Sequence, residues 1–241
     1  MNPLSVLENS PLSLSEIARR SGVSRNTLHL WLRGQSQPSP ATMEKVMLIL
    51  GYELSLRAHR ISDSDAATAA RVLTEELKSS HPSVKKWIQL FIDWGDTHEL
   101  HTLLESAAWA SNPYGRSGAI HFLPTTPLTI ASAVDASGQR WAFSGSFAQK
   151  QGAECALELR SHSTIVWCED PSAVTPSLPS RIRQAPYPVQ GGISLVPLGG
   201  EECTRQISSG GLHFVSPVQL TIDILAEAHQ ETMENSHDKS H

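Results

Sequence analysis

The chain has 241 residues, of which 39% are hydrophobic, and carries a net charge of −5. This length favours two domains over one large core, because domains typically contain about 100 to 200 residues. No run of about 18 apolar residues occurs, and the N-terminus lacks the pattern of a secretory signal, so we expect a cytoplasmic protein with no membrane partner. Three cysteines without a Cys-x-x-Cys pair argue against a disulfide framework and a structural zinc site.

Charge is distributed unevenly along the chain. Residues 1–60 contain seven Lys and Arg against four acidic residues and carry +3, so the remainder carries −8. A basic segment on an acidic protein can approach a polyanion while the rest of the molecule avoids indiscriminate binding to nucleic acid. Ordinary variation along a sequence could also produce this difference, so charge alone does not decide for DNA.

The first sixty residues show the punctuation of short helices. After a short apolar turn over residues 3–8, helices are predicted over residues 14–20, 25–33 and 41–50, and each ends at a glycine: Gly22, Gly34 and Gly51. Ser13 or Ser15 is the predicted N-cap of the first of these helices, and Ser24 is the N-cap of the second. Residues 52–60 alternate in polarity, which is typical of a short strand or an extended exit from a first domain, residues 1–60.

The remaining chain divides by composition. Residues 61–113 predict a helical connector, with helices over residues 66–77, 84–94 and 98–109. From residue 114 to residue 228, short apolar runs between Gly, Pro and Ser predict an α+β domain. Its predicted strands are residues 120–123, 128–134, 141–143, 164–168, 193–197 and a strand after Gly211, with helices near residues 145–151 and 217–228. The polar segment 229–241 is predicted to be disordered.

Residues 14–34 have the spacing that a helix-turn-helix needs. Ala18 is small where two helices would cross, and Gly22 can take the left-handed turn between them. The angle between the helices would be fixed by apolar side chains: Ile17, Val23, Leu28 and Trp31. Together with Pro38-Ser39 and the third helix, residues 3–55 resemble the XRE family of Cro/repressor-type helix-turn-helix domains.

The resemblance implies that the second helix of the pair enters the major groove of DNA with its N-terminal residues at base edges. The candidates for base reading are Arg25, Asn26, His29 and Leu30. Arg25 suits guanine and Asn26 suits adenine, whereas the family's positions would place Leu30 on a thymine methyl group. The expected phosphate contacts are Ser13, Ser24, Thr27, Arg33, Gln35 and Gln37. The alternative is that these side chains form an ordinary solvated helix surface.

A second motif lies at Gly145-Ser146, between a predicted strand and a helix. It looks like the opening of nucleotidyltransferase-type folds, whose active members need two carboxylates, one residue apart on a strand, to hold Mg²⁺. The corresponding place here is Glu158-Leu159-Arg160. Because an arginine repels the metal ion, we expect a domain with no catalytic residue, metal site or cofactor. An ordinary Gly-Ser turn is the alternative.

Residues 115–228 look like the C-terminal domain of AbiEi-type antitoxins. The resemblance rests on residues 141–148, on residues 164–170, and on the strand after Gly211 that leads into a helix capped by Ser216. It implies an autoregulating repressor whose partner is a nucleotidyltransferase toxin. The sequence as a whole predicts a repressor that binds an inverted repeat in double-stranded DNA as a homodimer. The alternative is a nucleotidyltransferase-like enzyme that its first domain tethers to DNA.

Overall fold

The computed structural model describes residues 2–55 and 60–237, with side chains as far as residue 230. The chain divides into two compact units, Met1–His59 and Arg60–His241. The predicted connector, residues 61–113, therefore lies within the second unit and does not separate two others. Each unit has its own buried core.

Over residues 2–55, the first unit consists of four helices, α1 Pro3–Glu8, α2 Leu14–Ser21, α3 Arg25–Leu32 and α4 Pro40–Ile49. The predicted apolar turn over residues 3–8 is thus helix α1, which the side chain of Asn2 caps through the N–H of Leu4. Side chains from all four helices share one core: Leu7, Ile17, Leu28, Trp31, Met43, Val46 and Met47. Residues 52–55 form no strand, and residues 56–59 lie outside the described residues.

Three helices begin the second unit, α5 Ser64–Leu73, α6 Pro82–Trp94 and α7 Leu100–Ala110. They pack against the last helix of the chain, α11 Pro217–His237, over a core that includes Ala66, Ala70, Phe91, Leu104 and Ile222. The small alanine side chains of α5 permit this close packing. This shared core joins the predicted connector to the rest of the second unit.

A seven-stranded mixed sheet forms the other layer of the second unit as described. Its strands are β1 Ile120–Phe122, β2 Trp141–Gly145, β3 Thr164–Cys168, β4 Gln184–Ala185, β5 Ile193–Pro197, β6 Ile207–Ser209 and β7 Leu212–Phe214. The order is β4-β1-β5-β3-β2-β7-β6, with β3–β5 and β2–β7 parallel and the other pairs antiparallel. The central strands β2 and β3 lie where apolar runs predicted strands, and both are buried throughout.

One predicted strand is wrong. Residues 128–134 belong to helix α8, Pro127–Ala136, which has Pro127 in its first turn. Proline suits that position because its missing N–H would have no partner within the helix. The buried residues Ile130, Ala131 and Val134 follow helical spacing, and a short apolar run by itself cannot distinguish a strand from a buried helix. Two shorter helices, α9 Ser146–Lys150 and α10 Pro171–Val174, complete this layer.

The C-terminal segment also differs from its prediction. Helix α11 continues to His237, so the segment predicted to be disordered from residue 229 is helical in its first part. The ring of His229 stacks on Trp109 with 4.1 Å between centroids, and Gln230 accepts a hydrogen bond from Arg60. These contacts extend the helix beyond its apolar residues. Residues 238–241 lie outside the described residues.

Candidate nucleic-acid interface

Helices α2 and α3 are joined by a tight turn at Gly22. Its φ is 72°, and its N–H donates to the carbonyl of Ala18 at 3.0 Å, which closes α2 with a left-handed cap. A side chain in this conformation would strain the backbone. Ile17 of α2 packs in the same core as Leu28 and Trp31 of α3, so the residues predicted to fix the helix pair come together.

The N-terminus of α3 is exposed to solvent and is capped by the side chain of Ser24. Ser24 Oγ accepts the N–H of Thr27 at 3.0 Å and lies 2.7 Å from the hydroxyl of Thr27. The N–H groups of Arg25 and Asn26, in the first turn, have no acceptor within the helix. A helix N-terminus also carries a partial positive charge, which favours an anion or a base acceptor. The predicted N-cap Ser24 is therefore confirmed.

The four candidates for base reading lie on one side of α3. Arg25 and Asn26 are exposed, and His29 and Leu30 are half-buried, whereas Leu28 on the other side is fully buried. This division follows from the helical repeat, which places residues three and four apart on the same face. A partner that approaches the N-terminal half of α3 would meet these side chains first.

The six candidates for phosphate contact lie at the N-cap of α2, in α3 and its caps, and in the loop after α3. Ser13 caps α2 by accepting the N–H of Glu16 at 3.2 Å, so Ser13 and not Ser15 is the N-cap. At the other end of α3, Gly34 has φ 67°, and the N–H of Gln35 donates to the carbonyl of Leu30 at 2.9 Å. This cap turns the chain outward at the point where the exposed polar side chains begin: Arg33, Gln35 and Gln37. Ser24 is exposed and Thr27 is half-buried.

The electrostatics of this face favour an anion. No acidic residue occurs between Glu16 and Glu44, a segment that contains four arginines. Glu16 binds two of them, with 2.6 Å to Arg19 and 2.6 Å to Arg20. These bonds, that of Arg19 first, lower the pKa of Glu16 to about 2. In the part of the chain that the structure describes, the other two arginines, Arg25 and Arg33, form no ion pair.

Sequence reasoning missed one feature of this unit. Ser39 caps α4 in the same way as Ser24 caps α3, by accepting the N–H of Thr42 at 3.3 Å with the two hydroxyls 2.7 Å apart. It provides a further exposed helix N-terminus beside the loop of Gln35 and Gln37. The signal was present in the pattern Ser39-Pro40-x-Thr42, because proline is common at the first helical position.

Residues 8–56 match the helix-turn-helix family. The first unit is an XRE-type helix-turn-helix domain. The match contains every candidate contact residue and identifies a DNA-binding domain of the kind found in transcriptional regulators. It does not extend into the second unit, whose resemblance to AbiEi-type antitoxins stays a prediction. No curated protein and no solved structure matches the chain.

In the second unit, the Gly-Ser turn lies where it was predicted, between β2 and α9. Gly145 has φ 72° and ψ −148°, and the N–H of Ser146 donates to the carbonyl of Ser163 at 2.8 Å. Glu158 and Arg160 are exposed and lie in an irregular segment between α9 and β3, not on a strand. Among the described residues, no group of three or more His, Cys, Asp or Glu side chains could hold a metal ion.

The three cysteines are free thiols, and Cys155 is half-buried. Cys168 and Cys203 are buried, and burial raises the pKa of each to about 12. Both therefore stay protonated near neutral pH and are poor nucleophiles. No helix in the described part of the chain is long and apolar enough to cross a membrane.

Proposed function

We propose that this protein is a sequence-specific transcriptional repressor that binds an inverted repeat in double-stranded DNA as a homodimer. One observation carries the proposal: α3 presents Arg25 and Asn26 in its first, exposed turn, within an XRE-type domain. With α3 in the major groove, the Arg25 guanidinium would bind guanine O6 and N7, and the Asn26 amide would bind adenine N6 and N7. Arg33 and the capped helix ends would bind phosphates around them.

The proposal requires two DNA-binding units because one is too small to select a genomic site. A single domain of this size contacts few base pairs, whereas repressors of this kind place two recognition helices on half-sites about 34 Å apart. A homodimer with two-fold symmetry then binds a DNA site with two-fold symmetry. This geometry is the reason for proposing both the homodimer and the inverted repeat.

The test is selection of bound duplexes from a random pool by the full-length protein. We expect enrichment of an inverted repeat whose half-sites are separated by about one helical turn. The selected DNA should give a footprint with two-fold symmetry. Enrichment of no sequence, or of a single site without symmetry, would refute the proposal.

The resemblance of residues 115–228 to AbiEi-type antitoxins supports two finer parts of the proposal. One is autoregulation, in which the protein represses its own promoter, and the other is binding of a nucleotidyltransferase toxin. A reporter fused to the native promoter should rise in expression when the Arg25→Ala variant replaces the wild type. Co-expression of this protein with the nucleotidyltransferase toxin should neutralise the toxin. An unchanged reporter would refute autoregulation, and unrelieved toxicity would refute binding of the toxin.

We also infer that the second unit is not a nucleotidyltransferase. Arg160 would repel a divalent cation near Glu158, and both side chains are exposed rather than converging on a cleft. The purified protein should transfer no label from nucleotides in the presence of Mg²⁺ or Mn²⁺. Turnover that Glu158→Ala abolishes, and that the matched variant Glu154→Ala retains, would instead establish the tethered enzyme.

A further inference from the structure

Three tryptophans of the second unit surround one shallow surface cavity of about 210 Å³. Trp87 and Trp94 of α6 and Trp109 of α7 line it with Ile61, Ser106 and Ala110. Three of these side chains are large, apolar and exposed, namely Trp94 at 56%, Ile61 at 52% and Trp109 at 46%. We call Ile61, Trp87, Trp94 and Trp109 the tryptophan patch.

The rings of the tryptophan patch are held in place from below. Trp94 packs edge-on against Trp87, with 6.3 Å between centroids, and the Trp87 indole N–H donates to Asp63 at 2.8 Å. Trp109 stacks on His229, which lies 3.3 Å from Glu105. Aromatic rings that are exposed and already ordered lose little conformational entropy on binding, a property of residues that dominate protein interfaces.

We propose that the tryptophan patch is the surface through which two copies of this chain associate. The inference rests on the proposed function, which requires a homodimer. It is independent of the DNA-reading residues, because every residue of the patch lies in the second unit.

The size of the patch fits the centre of a dimer interface. The exposed parts of Trp94, Trp109 and Ile61 amount to roughly 350 Å². A standard interface buries about 800 Å² per partner, with an apolar centre and a polar rim. The patch supplies such an apolar centre. In a two-fold contact the same patch serves both copies, so its exposed rings can enter the cavity of the other copy.

The position of the patch also favours a second copy. The chain arrives from the first unit at Arg60, whose guanidinium lies 5.5 Å from the ring centroid of Trp109. Two patches that face each other would bring the two Arg60 residues together. Leu54 packs in the core of the first unit, and the six Cα steps from Leu54 to Arg60 span at most about 22 Å. The first units of two copies whose Arg60 residues lie close together can therefore reach half-sites about 34 Å apart.

The charges at the rim are compatible with this pairing. Arg60 lies over Trp109, and Glu105 lies beside it through His229. Since Arg60 and Glu105 carry opposite charges, Arg60 of one copy can approach Glu105 of the other. A rim of like charges would oppose self-association.

The test compares Trp94→Glu with Ile92→Glu by sedimentation velocity on the full-length protein. Ile92 is the matched control because it lies on the same helix and is 49% exposed, but does not line the cavity. We expect a wild-type dimer at micromolar concentration. Trp94→Glu should raise the dimer dissociation constant by at least about 30-fold, and Ile92→Glu should leave it nearly unchanged. Ile61→Glu should weaken the dimer too, and circular dichroism would show that each variant is folded.

Three results would overturn the inference: a wild-type monomer at these concentrations, a dimer that persists in both Trp94→Glu and Ile61→Glu, or equal weakening by Ile92→Glu. Selection of DNA by the same proteins separates this inference from the proposed function. A dimer that survives both Trp94→Glu and Ile61→Glu, with two-fold DNA sites intact, would reject only the patch. A dimer that Trp94→Glu disrupts, without sequence-specific DNA binding by the wild type, would reject only the repressor.

Discussion

Arg25 and Asn26 occupy the first two positions of α3, beyond the cap formed by Ser24, and both are exposed. We expect Arg25→Ala and Asn26→Ala each to weaken binding to the selected operator by about 1 to 3 kcal/mol while leaving binding to scrambled DNA nearly unchanged. The reason is that each loses base contacts and keeps the phosphate contacts. Affinities for both DNAs at one salt concentration provide the measurement.

Two control variants accompany this prediction. Arg33→Ala should weaken operator and scrambled DNA equally and reduce the salt dependence of binding, because a phosphate contact carries no sequence information. Lys45→Ala removes the same charge from an exposed site on α4 and should change neither affinity by a comparable amount. If Arg25→Ala behaved like Arg33→Ala, Arg25 would be a phosphate contact.

A single buried carboxyl group makes the stability of the second unit depend on pH. Asp223 of α11 is fully buried, and its oxygens accept hydrogen bonds of 2.9 Å each from Trp167 and Gln219. Burial disfavours the charged form and raises the pKa of Asp223 to about 6, against about 3.9 in the unfolded chain. Between these two pKa values, Asp223 is therefore protonated in the folded protein and ionised in the unfolded chain. The resulting stabilisation is complete below about pH 4 and is lost as the pH rises through about 6.

We therefore expect Asp223→Asn to stabilise the second unit at alkaline pH. The amide cannot ionise, and its oxygen can still accept the Trp167 N–H. With the Gln219 amide flipped, the N–H of the new amide can donate to Gln219 Oε1, a buried oxygen that has no partner among the described residues. The difference in unfolding free energy between pH 4 and pH 8 should shrink by up to about 3 kcal/mol. Urea unfolding followed by tryptophan fluorescence measures it. An unchanged pH profile in Asp223→Asn would refute the prediction.

At the scale of elements, Gly145 determines how β2 leads into α9. Its φ of 72° with ψ of −148° is a region that essentially only glycine occupies, and an added Cβ would overlap the carbonyl oxygen of Ser163. That carbonyl accepts the N–H of Ser146 at the start of α9. The segment before β3 can therefore lie this close to the end of β2 only with glycine at position 145.

Gly145→Ala should lower the free energy of unfolding of the second unit by about 3 kcal/mol or more, through strain and overlap together. Gly152→Ala is the matched control, because Gly152 also has a positive φ, 86°, but an added Cβ would meet nothing within 4 Å. Its expected cost is about 1 to 2 kcal/mol. Equal losses in calorimetry would show that the overlap with Ser163 contributes nothing.

At the scale of the whole molecule, two units with separate cores should unfold separately. Ile17→Ala in the first unit and Ile165→Ala in the second each remove a fully buried side chain, at a cost of about 2 to 5 kcal/mol. We expect two calorimetric transitions, of which Ile17→Ala lowers one and Ile165→Ala lowers the other. Both variants lowering a single common transition would mean that the chain unfolds as one cooperative unit.

The DNA-reading unit could be predicted from sequence because its determinants are local. The caps Ser13 and Ser24, the turn at Gly22 and the apolar spacing lie within about two dozen residues of one another. Hydrogen bonds between residues two to four apart largely determine where such helices begin and end. The predicted N-cap Ser24 and the helix-turn-helix match follow from this locality. Contact with DNA by each named side chain stays a prediction.

The second unit depended on contacts between residues far apart in the chain. Strands β4 and β6 are two and three residues long and lie at the edges of the sheet, so they are too short to carry a periodic apolar signal. The packing of α11 on α5–α7 joins residues more than a hundred positions apart, which local spacing does not encode. For the same reason only the tertiary structure decides that Asp223 is buried and that Trp94 and Trp109 are exposed beside one cavity. Composition shows that an apolar residue tends to be buried, but burial itself depends on which distant elements pack over it.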